Sequence, residues 1–189
     1  MEKRNAYFNS KFKTRSDDNG NKFIEGYFAV FNQETELWDG WHEQLVAGAF
    51  ANSLANNDIR CLFNHEDGFV LGRTAAGTLE LSEDVHGLWG RVKINPNDRS
   101  AMDVYARVER GDISGCSFGF YPTKESFEDR ADGTVLNTIL DTDTIEVSVC
   151  TFPAYPQTEV QARKKDFENR NTLTIEQRRK LLKKRLEVL

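Results

Sequence analysis

Apolar and polar positions alternate along most of the first 150 residues, and the period changes in only two places. "NKFIEGYFAVFN" is rich in aromatic and β-branched residues and predicts a strand. In "HEQLVAGAFANSLANND", Leu45, Ala49, Phe50 and Leu54 recur at helical spacing, which predicts a short helix facing a core. Period two then returns from Ile59 to Asn95. "DIRCLFNHED" puts Ile59, Cys61, Phe63 and His65 on one face, and "GFVLGRT", "GTLELS" and "GLWGRVKIN" follow, separated by the turn signals "AAG" and "EDVHG". The second change is "NPNDRSAMDVYARVERG", where Ala101, Val104, Tyr105 and Val108 lie a turn apart, Asn or Asp is available as N-cap, and Gly111 can end the helix. "ISGCSFGFYP", a hairpin around "RADGT", and "TIEVSVCTFP" complete the strands. Many strands with two short helices predict an α+β, mainly β domain built on a closed or strongly curved antiparallel sheet.

Charge divides the chain. Residues 161–189 carry ten Lys/Arg against four Asp/Glu, and the remainder carries 15 against 26, so a body near −11 bears a tail near +6. The expected organisation is therefore a body over 1–160 and a separate basic segment over 161–189. In that segment Thr174 offers an N-cap, and Ile175, Leu181, Leu182 and Leu186 form a partial apolar stripe of a helix. An acidic body is a poor nucleic-acid binder. With no apolar run of about 18 residues and no signal-peptide core at the start, neither a membrane span nor export is expected. Cys61, Cys116 and Cys150 have no CxxC spacing and sit in apolar strands, so they read as reduced core thiols. Three His without paired ligand spacing give no support to a metal, and no cofactor motif is present.

The chemistry concentrates in "ISGCSFGF". Alternation puts Gly115, Ser117 and Gly119 on one face and Cys116, Phe118 and Phe120 on the other. Ser117 therefore stands on a cleared face, as an accessible hydroxyl with room for a substrate chain or as a solvated serine in a glycine-rich bulge. Ser114 is a second candidate nucleophile, on the opposite face. A serine needs a base. His65, closing an apolar strand, is the candidate, although a lone histidine in such a place is more often a satisfied structural residue; His42 and His86 read as surface or turn residues. For the group that orients the base, Glu146 shares its strand face with Ser148 and Cys150, while Glu66 and Asp67 are rivals too close in sequence to reach the ring easily.

"GYFAVFN", "HEQLVAGAFANSL", "IRCLFNHED", "GLWGRVKIN", "GDISGCSFGFYP" and "IEVSVCTFPAYPQTEV" succeed one another in this order over roughly residues 20–160. This succession resembles the prohead maturation proteases of tailed bacteriophages, a family related to the herpesvirus capsid assembly proteases. The resemblance implies a herpesvirus-protease-like antiparallel β-barrel with short surrounding helices. It also implies a serine endopeptidase with Ser117 as nucleophile, His65 as general base and Glu146 as the third member, where herpesvirus relatives use a second histidine. Ala47 in "VAGAF" departs from the proline frequent in the family, at the entry to a helix.

The implied substrates are scaffold, the delta segment of the major capsid protein and the protease itself, inside the assembling prohead in the host cytoplasm, with self-association. The basic tail would then be a targeting or packaging element removed by self-cleavage within 155–175. Two other readings stay open. One is a cysteine hydrolase using Cys116, and the other is a non-catalytic assembly or scaffold-binding module with a vestigial Ser–His pair.

Overall fold

The computed structural model describes residues 3–152. In chain order the elements are β1 (Arg4–Asn9), β2 (Lys13–Ser16), β3 (Lys22–Val30), β4 (Thr35–Trp38), β5 (Trp41–Leu45), α1 (Ala51–Asn56) and β6 (Arg60–Phe63). They continue with β7 (Glu66–Arg73), β8 (Leu79–Glu83), β9 (Gly87–Ile94), α2 (Arg99–Arg110), β10 (Gly115–Asp129) and β11 (Val135–Cys150). Among these residues no helix is long and apolar enough to cross a membrane. The basic segment 161–189, its expected helix and the expected cleavage region lie outside the described residues.

The chain is mainly β, as its alternation predicts, but the strands form two sheets. The larger follows the order β1-β10-β11-β5-β4, with β6 also paired to β11 and β7 to β6; the smaller is β2-β3-β9-β8. Among the described residues no ladder closes a barrel, which corrects the expectation of a closed antiparallel sheet. The physical reason lies in β11. Its 16 residues pair antiparallel with β10 along one edge, while the other edge is shared by β5 along Val135–Ile139 and β6 along Glu146–Val149, both in parallel. One long strand serving two short partners branches the sheet instead of closing it.

Helix α2 forms as its sequence predicts. The Asp98 side chain accepts from the backbone N–H groups of Ser100 and Ala101, Gly111 ends the helix at φ 87°, and Ala101, Val104, Tyr105 and Val108 are its buried face. The earlier helix is shorter than its spacing suggests. Trp41, Glu43 and Leu45 are buried in alternation within β5, so Leu45 belongs to a strand, and Gly48 at φ 91° separates that strand from α1. The parallel ladder with β11 satisfies the backbone there and overrides the helical spacing of Leu45 and Ala49.

The core lies on one face of the β10–β11 pair. Phe118 and Phe120 are fully buried and stacked with centroids 4.8 Å apart, and Phe50 meets Phe118 edge-on at 5.0 Å. Fully burying each ring stabilises the fold by about 1.5–3 kcal/mol. Val147 and Val149, opposite Phe118 and Cys116, extend this face. The other face of the same two strands therefore carries Ser117, Gly119, Glu146, Ser148 and Cys150, held in place by the hydrophobic packing behind them.

Candidate active site

His65 owes its position to a tight turn. β6 and β7 are joined by Asn64 and His65 alone, with Phe63 paired to Glu66, and the two turn residues have φ of 53° and 62°. Positive φ at both central positions is the pattern of a type I′ hairpin turn, whose twist matches that of the flanking strands. The period-two face that includes His65 in the sequence therefore ends at Phe63. The turn is clamped to the end of β11: the Asn64 N–H donates to the Val149 carbonyl (3.0 Å), the Thr151 N–H donates to Asn64 Oδ1 (2.9 Å), and the His65 N–H donates to Ser148 Oγ (3.3 Å). A histidine with φ above zero costs backbone energy, and such strain persists where the surroundings enforce it.

Glu146 meets this histidine from β11. Its Oε1 lies 2.7 Å from His65 Nδ1 and 3.4 Å from Lys3 Nζ, and its Oε2 accepts from the Ser148 hydroxyl at 2.7 Å. Glu146 is 2% exposed. Burial pushes its pKa up, but the hydrogen bond and charge of His65, the Ser148 hydroxyl and the Lys3 ammonium more than offset that, so it lies below the ordinary value of 4.5. An ionised Glu146 makes Nδ1 the protonated nitrogen of a neutral ring, leaving the lone pair on Nε2. Nε2 faces Cys150 Sγ at 3.9 Å.

Ser117 lies on β10 between two partners, opposite Tyr7 of β1 and opposite Ser148 of β11. His65 touches both flanks of this row. Its ring meets Tyr7 edge-on with centroids 5.3 Å apart, and its Nδ1 is 3.4 Å from Ser148 Oγ. The imidazole thus bridges the strands on either side of Ser117, whose side chain is fully buried and whose Oγ has no hydrogen-bond partner. His65 and Glu146 are brought into contact; the hydrogen bond from Ser117 to His65 is not formed in this state.

The cleared face has a different tenant from the one its glycines suggest. A Cβ at Gly119 would stand 2.3 Å from Glu146 Oε1, 2.6 Å from Lys3 Cε and 2.9 Å from Asn5 Oδ1. At this position the missing side chain makes room for the carboxylate and for β1, not for a substrate. A register shift between Gly119 and Phe120 skips Ile145 on β11, a bulge that turns the strand beside the site.

The other candidates stand apart. Ser114 is exposed and precedes β10, and Glu66 and Asp67 are exposed on β7. Cys116 is buried on the core face, its Sγ 3.3 Å from the Phe8 carbonyl, and burial pushes its thiol far up, which removes the thiolate a cysteine hydrolase needs. Burial also pushes Cys150 up to about 12, with the Glu146 charge adding to it. His42 pairs with Glu34 (2.9 Å), and the ring of His86 meets Tyr27 in a turn. Among the described residues no group of three or more His, Cys, Asp and Glu could hold a metal ion.

Sequence reasoning alone did not identify Ser148, Tyr7 and Lys3 as members of this site. Ser148 was legible in principle, two residues from Glu146 on the same face. Lys3 and Tyr7 carry no local signal, because only the pairing of β1 with β10 brings them there.

Residues 10–172 match the caudovirus prohead serine protease family. The chain belongs to that family. It is 33% identical over 144 residues to the prohead protease of Enterobacteria phage HK97, an alignment spanning 75% of this chain and 60% of that relative, so the chain covers less than two thirds of the relative's length. Among solved structures it is similar to the bacteriophage T4 capsid assembly protease, gp21, with a TM-score of 0.47 and 11% identity, over 81% of this chain and 100% of that one.

Proposed function

We propose that the chain is a serine endopeptidase of phage prohead maturation, acting on scaffold, on the delta segment of the major capsid protein and on itself within the assembling prohead. The observation that carries this reading is the 2.7 Å contact between His65 Nδ1 and Glu146, made above the strand that bears Ser117. In this mechanism His65 Nε2 takes the Ser117 proton as Oγ attacks the peptide carbonyl. The imidazolium is stabilised by Glu146 and then delivers its proton to the leaving amine; water hydrolyses the acyl-serine by the reverse use of the same base. Attack requires Nε2 to leave Cys150 Sγ for the Ser117 hydroxyl. Catalytic hydrogen bonds of this kind are often long or unformed until substrate binds.

Self-cleavage within 155–175 is supported by the change of charge there, from an acidic body to the basic segment 161–189. The test is intact mass spectrometry of the full chain over time, alone and with co-expressed capsid and scaffold proteins, beside Ser117→Ala and Ser114→Ala. Cleavage by the parent and by Ser114→Ala, with Ser117→Ala inert, is the expected result. Equal processing by parent and Ser117→Ala overturns the assignment, and no processing of any partner by the parent favours the non-catalytic assembly module.

A further inference from the structure

Within the reading above, one buried hydroxyl does more than fill space. Ser148 has no exposed surface and lies directly across from Ser117 on the neighbouring strand. A hydroxyl has one proton to give and two lone pairs. The Ser148 proton goes to Glu146 Oε2 at 2.7 Å, and its lone pairs face the His65 backbone N–H at 3.3 Å and the His65 ring at 3.4 Å.

We infer that Ser148 is a positioning residue of the active site, which fixes the carboxylate of Glu146 and the strained turn of His65 relative to each other. The two oxygens of Glu146 have distinct duties. Oε1 serves His65 Nδ1, and a carboxylate held at that oxygen alone can still rotate about its terminal torsion. The bond from Ser148 to Oε2 removes that rotation, so Oε1 stays on Nδ1. The same oxygen of Ser148 receives the His65 N–H, which ties the left-handed backbone at φ 62° to the strand that carries Glu146. Lys3 cannot take this part: its side chain is 37% exposed, its contact is 3.4 Å, and an ammonium is a point charge without the directional fork that would orient a carboxylate.

This inference rests on the serine protease reading, and its test separates the two. The full-length protein and its Ser148→Ala, Ser148→Thr and Ser117→Ala variants are treated with a fluorophosphonate probe, and the labelling rate is followed by intact mass. In parallel, the His65 Nδ1–H resonance and ring tautomer are read by NMR in the same proteins without probe. Parental labelling that Ser117→Ala abolishes supports the underlying reading. Ser148→Ala is expected to unfold cooperatively like the parent, to label roughly ten-fold more slowly, and to lose the protected Nδ1–H signal. Ser148→Thr, which keeps the hydroxyl, is expected to restore both. Should the added methyl unfold Ser148→Thr, Ser148→Gly must show the same two losses as Ser148→Ala. Retention of the protected Nδ1–H signal in Ser148→Ala overturns the inference, whatever the labelling shows.

Discussion

Glu146 Oε1 and His65 Nδ1 are 2.7 Å apart although the two residues are 81 positions apart in sequence, and Glu146 is 2% exposed. Such a contact fixes the tautomer: the proton sits on Nδ1 and the lone pair on Nε2. In Glu146→Gln the amide keeps the shape of the side chain and can present its NH2 to Nδ1, which then holds the ring in the wrong tautomer. Proteolytic turnover is expected to fall by about 10⁴-fold, the magnitude seen when the carboxylate of a Ser-His-Asp triad becomes an amide. Cleavage rates under single-turnover conditions, with circular dichroism to verify the fold, measure it.

Gly119 is the counterpart of that contact on β10. Adding a methyl group there puts carbon 2.3 Å from the oxygen that binds His65 and 2.6 Å from Lys3 Cε. Both are ends of side chains, so the strand can survive while the carboxylate turns aside. Gly119→Ala is expected to lose about 1–3 kcal/mol of stability, as overpacked sites do, and to lose activity at least ten-fold. Urea unfolding together with the cleavage assay separates the two effects. Full activity in a folded Gly119→Ala protein would show that the position of Oε1 is immaterial.

Much of this site is legible in the chain because strands impose a strict period. Alternation separates Ser117 and Gly119 from Cys116 and Phe118 on one strand, and Glu146 and Ser148 from Val147 and Val149 on another; the structure keeps both divisions, and the pairing of β10 with β11 puts the two polar sets on a common face. The period fails where pairing is non-local or the chain turns. His65 looks like the last residue of a strand, yet two residues with positive φ make it the corner of a hairpin. Leu45 looks helical, yet a parallel partner 94 residues away at Ile139 makes it a strand residue. β1 carries no mark that it will lie beside β10, and with it come Tyr7 and Lys3.

The backbone of His65 separates activity from stability. Type I′ turns favour Asn followed by Gly, and here Asn64 is followed by histidine at φ 62°. Relief of a left-handed non-glycine residue is worth about 1 kcal/mol. Loss of a hydrogen bond to a charged group costs about 1.5–3 kcal/mol. His65→Gly is therefore expected to destabilise the parent by about 1 kcal/mol, because the second effect exceeds the first. In a Glu146→Gln background the charged partner is gone, and the same substitution should become neutral or stabilising. A double-mutant cycle of urea midpoints measures the coupling; equal effects of His65→Gly in both backgrounds would mean that the pair contributes nothing to folding.

The same pair makes folding depend on pH in a direction that can be worked out. The Glu146 carboxyl is held below its ordinary value of 4.5 in the folded protein by His65, Ser148 and Lys3, despite the opposing effect of burial. As pH falls through that ordinary value, the unfolded chain takes up the proton first and is favoured by it. The stabilisation from Glu146 is therefore complete above the unfolded value and disappears as pH drops through the folded one. Glu146→Gln, which cannot titrate, lacks this component. The stability difference between parent and Glu146→Gln should be larger at about pH 7 than at about pH 3, as read by urea unfolding at both. A difference that stays constant, or grows on acidification, would mean that the carboxyl is not depressed in the folded state, and the ionised Glu146 that sets the His65 tautomer would lose its support.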